Sequence, residues 1–180
     1  QDQKAALIND RELLNDENER RQKEEISGTD TFLNTQKVNY SFTCRTSPML
    51  PDPNIKAQIL EDFGQKNDKE TGVKWRSQGW WVGQAGGQVR NCNEGEVVFS
   101  GPIPGRGWVV MMDHGQGVMT VYANLLPESL NTVVQKGQKI ATGTVIGKVR
   151  ERFYFEARLA GKSVDPKKVL NSHSLQEFNL

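Results

Sequence analysis

Histidine is almost missing from this chain: its 180 residues contain two, His114 and His173. Hydrolytic zinc usually takes three protein ligands drawn from His, Asp, Glu or Cys, plus a bound water. Neither histidine belongs to a His-x-His or His-Glu-x-x-His element, so the common metallohydrolase patterns have nothing to build on. Cysteine is as sparse. Cys44 and Cys92 allow one disulfide at most and no metal motif. A bridge would tie the segment before the β-rich region to its first hairpin; two buried free thiols are the alternative. A net charge of +1 gives no electrostatic case for nucleic acid or an anionic membrane. No apolar run is long enough to cross a bilayer as a helix. The chain starts at Gln1 with neither a Met nor a signal-like stretch, which reads as a processed or trimmed fragment.

Apolar residues make up 36% of the sequence, a low share for one compact globule and a reasonable one for a packed domain diluted by a polar portion. That polar portion comes first. Residues 1–28 have no Gly or Pro before Gly28 and a thin apolar set that includes Leu7 and Leu14, a heptad apart. The spacing predicts a polar helix, either the end of a coiled coil or a regulatory helix. Residues 29–57 read as a linker: Val38 to Cys44 alternates like a short strand, and Pro48, Pro51 and Pro53 enforce an extended loop.

From residue 58 to 170 short apolar runs recur between glycine turns, with almost no helical period. Ile59 to Gly64 reads as a short strand ending in a turn. Lys74 to Val82 carries Trp75, Trp80 and Trp81, and Val89 to Val98 reads as a hairpin across Glu94-Gly95. Trp108 to Asp113 and Val118 to Ala123 lie at hairpin distance, and Met111, Met112 and Met119 read as core. The expectation is a mainly β domain, an antiparallel sheet or barrel-like fold, followed by a polar tail at 171–180.

The most informative stretch is Glu151 to Arg158. Strand periodicity sends Phe153, Phe155 and Ala157 to one face and Arg152, Tyr154, Glu156 and Arg158 to the other. The first face is core. The second suits a recognition surface, or a solvated strand face.

Several blocks across residues 59–170 resemble the lysostaphin/LytM-type family of cell-wall endopeptidases. They are Glu94-Gly95-Glu96-Val97-Val98, Gly105 to Val110, Asp113 to Gly117, Val121 to Leu125, Val134 to Ile140, and Tyr154 to Arg158 with Gly161-Lys162 and Val164-Asp165-Pro166. In particular they resemble its EnvC-like branch, whose members activate murein amidases without cutting. The resemblance implies a zinc site from a His-x-x-x-Asp element and a His-x-His element, with a further catalytic His after Tyr-Ala. Here those positions fall on Arg76 and Trp80, on Arg152 and Tyr154, and on Asn124. Arginine cannot release its proton and repels a cation, so zinc peptidase activity is not expected.

By the same mapping, a metal-free groove is lined by Arg76, Trp80, Arg106, Tyr122, Asn124, Arg152, Tyr154 and Arg158. Trp80 and Trp81 point to opposite faces, so one of them is core. The family usually has a longer loop before its His pair than Lys148 to Arg152 provides here, so the resemblance implies a groove open at that end, which suits a protein or helix. The resemblance thus implies a non-catalytic regulator of cell-wall hydrolysis in the periplasm or cell envelope. Its partner would be a peptidoglycan amidase or another envelope protein, with no cofactor and no nucleic acid. A scaffold module, or one that binds peptidoglycan itself, is the alternative. The N-terminal helix would engage a divisome or transporter-like membrane partner, or lie across the groove and hold it shut. A lipoyl- or biotinyl-type carrier is not expected, because the Val134 to Ile140 turn that resembles those domains holds no Met-Lys or Asp-Lys pair.

Overall fold

Short strands joined by glycine turns do fold as a β domain. The computed structural model describes residues 42–50, 57–84 and 86–178. The expectations for the polar helix at 1–28, for its contacts with the groove, and for Pro51 and Pro53 lie outside these residues.

The strands follow in order as β1 (Gln58–Glu61), β2 (Gly64–Asn67), β3 (Lys74–Ser77), β4 (Trp80–Gly83), β5 (Gln88–Arg90) and β6 (Gly95–Ile103). Then come β7 (Gly107–Asp113), β8 (Val118–Leu125), β9 (Lys139–Ile140), β10 (Val145–Lys148), β11 (Arg152–Leu159), β12 (Lys162–Val164) and a helix, α1 (Ser172–Glu177). One antiparallel sheet runs β1-β4-β11-β8-β7-β6-β9. On one edge β11 pairs with β8; on the other it pairs first with β4 and then, from Ala157, with β12. Strands β2 and β3 form a separate hairpin, and β5 pairs with β10.

The Val89–Val98 hairpin does not form. Val89 faces Gly147 of β10, and β6 pairs with β7 and β9. Between the two runs the chain is fastened elsewhere. The Asn91 N–H donates to the Thr144 carbonyl at 2.8 Å, and the Cys92 N–H donates to the Tyr122 hydroxyl at 3.0 Å. Those bonds carry β5 away from β6 before a turn at Glu94-Gly95 could pair them.

The main core lies on one face of the sheet. Trp80, Val82, Val110, Met112, Tyr122, Phe153 and Phe155 meet Val89, Ile146 and Val149 from the side of the β5–β10 pair. Both ends of the described chain close this core. Residues 42–50, which the sequence assigns to the linker, are held against the domain. Cys44 and Cys92 form a disulfide, with Cα atoms 5.0 Å apart, and the Cys44 N–H donates to the Val169 carbonyl at 2.6 Å. The polar tail is not a loose end either. Asn171 caps α1 by accepting from the Ser174 N–H at 2.7 Å, and the helix delivers Phe178 edge-on to Trp80 at 5.6 Å. Phe178 is buried.

Phe178→Ala is expected to cost about 3 kcal/mol of stability, since it opens a cavity beside Trp80. Urea unfolding of the two proteins measures it.

Candidate functional site

Alternation along β11 builds the site. Phe153, Phe155 and Ala157 enter the main core, while Tyr154, Glu156 and Arg158 project from the opposite face. On β8 the same rule turns Val121 and Ala123 to that face. Val109 and Met111 reach it from β7, so Met111 is groove floor rather than main core. Ile103, Arg106 and Gln78 complete a groove of ≈ 160 Å³.

A bulge places its wall. Trp108 faces Leu125 and Val110 faces Tyr122, so β8 carries one residue more than β7 over this span. Asn124 lies in that span with φ 66°, a left-handed conformation that asparagine tolerates better than most residues. Its backbone N–H donates to the Arg106 carbonyl at 2.8 Å, and its side-chain amide donates to the Arg152 carbonyl at 2.8 Å. Asn124 therefore clamps the turn that carries Arg106 to the start of β11.

Charges and rings are stacked along the groove. The Arg106 guanidinium lies 4.7 Å from the Tyr154 ring centroid, Tyr154 packs on Trp81 at 5.2 Å, and Arg152 lies 4.6 Å over Trp81. Below them sits Glu156, 2% exposed. It accepts from the Tyr154 hydroxyl at 2.9 Å, from Arg158 Nε at 2.6 Å and from the Ser163 hydroxyl at 2.6 Å. Burial, and then the negative charge of Glu156, push the Tyr154 phenol well above the ordinary tyrosine value. Tyr154 is thus a neutral hydrogen-bond donor, and its orientation is fixed.

Of the proposed site residues, Arg106, Tyr154 and Arg158 line the groove. Arg152 flanks it through Trp81, and Asn124 supports it from behind. Three do not join. Trp80 is 0% exposed in the main core, because β4 alternates and it is Trp81 that faces Tyr154 in the register. Tyr122 is a core residue on β8, its ring packed at 5.5 Å on Phe155 and its hydroxyl bound by Cys92; burial raises its pKa to about 12. Arg76 sits on β3 with its guanidinium 5.4 Å over Phe63, outside the groove lining. Trp81, Gln78 and the apolar floor are the residues that sequence reasoning missed. The two-residue period of β4 was the available signal for Trp81, but local sequence does not say which tryptophan Phe178 will cover.

With Trp81 at the groove, the four-residue spacing of the first zinc element moves by one position, onto Ser77 and Trp81. Ser77 is buried, its hydroxyl donating to the Gly79 carbonyl at 3.0 Å. Serine, tryptophan, arginine, tyrosine and asparagine at these positions supply neither an imidazole nor a free carboxylate, and Glu156 is already engaged by three donors. This donor set does not fit zinc. Among the described residues, no group of three or more His, Cys, Asp or Glu is placed to hold a metal ion.

His114 has a structural position. Nδ1 lies 2.7 Å from the Glu94 carbonyl and Nε2 lies 2.8 Å from the Thr120 hydroxyl, with Phe42 packed at 5.2 Å. Burial holds its pKa below the usual value.

Residues 76–166 match the family model "Peptidase family M23". The chain is 30% identical over 116 residues to the murein hydrolase activator EnvC of Escherichia coli, a span of 62% of this chain and 27% of EnvC. It is 30% identical over 147 residues to the murein hydrolase activator NlpD of Salmonella dublin, covering 77% of this chain and 36% of NlpD. It therefore spans about a third of these relatives or less. A chain in the structure of the SpoIIQ–SpoIIIAH pore-forming complex superposes with a TM-score of 0.58 at 21% identity, over 76% of this chain and 98% of that one.

Two outcomes follow from this geometry. Every partner of Glu156 is a donor, so Glu156→Gln turns an amide N–H toward one of them and is expected to cost about 1–3 kcal/mol in urea unfolding. His114 prefers the neutral form when folded, while the unfolded chain takes up a proton near the ordinary pKa of about 6.5. Its contribution is therefore present above that pH and is lost as pH falls toward the lower folded-state value. Stability measured from pH 7 to 5 should decline less steeply in His114→Asn than in the wild type.

Proposed function

This chain belongs to peptidase family M23, and from that premise we propose that it regulates cell-wall hydrolysis without cutting the wall itself. The groove over β11 docks the regulatory element of a peptidoglycan amidase, or an equivalent envelope protein, in the periplasm or cell envelope. Docking stabilises the open form of that enzyme and so frees its active site. Two relatives named murein hydrolase activators support the reading.

The observation that carries it is the set of side chains packed at the groove. Trp81 and Tyr154 lie between Arg152 and Arg106, where the family resemblance would put metal ligands. Tryptophan, tyrosine and arginine dominate the energetics of protein interfaces, above all where they surround a small apolar floor. Val109, Met111, Val121 and Ala123 are such a floor. A zinc hydrolase site needs a bound water activated by the metal and a base; this groove offers packed rings and guanidinium groups.

The direct experiment is in vitro digestion of purified cell wall by a candidate amidase, with and without this chain. Stimulation together with measurable binding is expected; no stimulation and no detectable binding would refute the proposal. Arg106 is exposed, so its reversal leaves the fold intact. Arg106→Glu should weaken amidase binding roughly thirty-fold, the loss typical of an interface arginine, and should reduce stimulation in step.

A further inference from the structure

Away from the groove, β1 and the β2–β3 hairpin border a second cleft of ≈ 480 Å³, within the range of roughly 300–1,000 Å³ usual for small-ligand sites. None of its lining residues lines the groove. Trp75 forms one wall and is 42% exposed; Leu60 on the other side is 53% exposed. Folding leaves two large apolar side chains partly in water at a concave surface, which marks binding sites more often than bare surface.

Polar groups stand beside the indole. Lys66 is directly opposite Trp75 in the hairpin register and is ion-paired with Asp62. The Lys66 hydrogen bond and, more weakly, the nearby Lys167 hold the Asp62 carboxyl below the usual carboxylate range. Asn67 adds an amide, and Glu61 completes a lining with two carboxylates against two ammonium groups. The cleft is therefore electrically balanced, rich in both donors and acceptors, and walled by an aromatic face.

That combination selects among ligands. A polyanion would meet Asp62 and Glu61 and be repelled. A protein segment would need a wider apolar floor to offset the desolvation of four charges. A pyranose ring fits both features: one face of C–H groups packs on an indole, and a rim of hydroxyl and acetamido groups both donates and accepts. We infer that this cleft binds a glycan strand of N-acetylated amino sugars, with Trp75 as the stacking platform and Asp62, Lys66 and Asn67 reading the polar rim. The site is independent of the β11 groove. A chain that held the wall polymer with one surface and its partner enzyme with the other would raise their effective concentration for each other.

Two probes test it on the full chain: co-sedimentation with purified sacculi, and titration with a chitin tetrasaccharide followed by tryptophan fluorescence. The wild type is expected to bind both. Trp75→Ala should weaken both about ten-fold, the upper range for a lost aromatic contact, and Asp62→Asn should weaken them less. Thermal unfolding serves as the fold control, since Trp75 is half exposed. Failure of the wild type to bind either probe overturns the inference. So does binding that Trp75→Ala leaves unchanged, or binding to sacculi alone, which would assign recognition to the peptide stems. Arg106→Glu should retain glycan binding while Trp75→Ala retains amidase binding, so failure of one reading leaves the other standing.

Discussion

A buried carboxylate governs the functional face of this domain. Glu156 is 2% exposed, and a charge in that position is tolerable only if its oxygens are paired. Three donors do this: Tyr154, Arg158 and Ser163. Each bond also has a geometric consequence. Tyr154 is pinned so that its ring offers one face to Trp81 and meets the Arg106 guanidinium, while Arg158 is drawn along the groove edge instead of extending into water. Ser163 comes from β12, whose pairing with β11 begins at Ala157. The ladder of rings and guanidinium groups is thus held in place by contacts within the chain, an order that would lower the entropic cost of the proposed docking.

The other support is the bulge at Asn124. An extra residue in β8 would ordinarily weaken the pairing with β7. Here both amides of Asn124 find carbonyl acceptors, on Arg106 and Arg152, at opposite ends of the ladder. The position that the resemblance assigns to a catalytic histidine therefore has a mechanical role in this chain. The same holds for the others: Trp81 and Tyr154 stack, and Ser77 closes a local turn. A metal centre holds its walls together through coordinate bonds. This groove does so with a carboxylate hub and cation–ring contacts.

Much of this was legible in the sequence. The β class followed from the glycine spacing, and the division of β11 into a core face and a face carrying Tyr154, Glu156 and Arg158 followed from its period of two. Three kinds of information were not local. Trp80 and Trp81 are interchangeable by periodicity, and Phe178, almost a hundred residues on, decides which is covered. Tyr122 reads like Tyr154 in isolation, but the β8–β11 register sets it opposite Phe155, on the core side. The Glu94-Gly95 turn signal was overridden by the bonds of Asn91 and Cys92 to Thr144 and Tyr122. In each case a distant contact outweighed a short-range preference, as tertiary packing commonly does.

The central claim is that a partner protein sits on the β11 face. Hydrogen exchange of the chain, alone and with a saturating amidase, reads this most directly. The account predicts new protection concentrated in residues 103–109 and 121–124 and at the start of β11, with β2, β3 and α1 unchanged. Protection confined to other surfaces, with those residues exchanging as in the free chain, would contradict it.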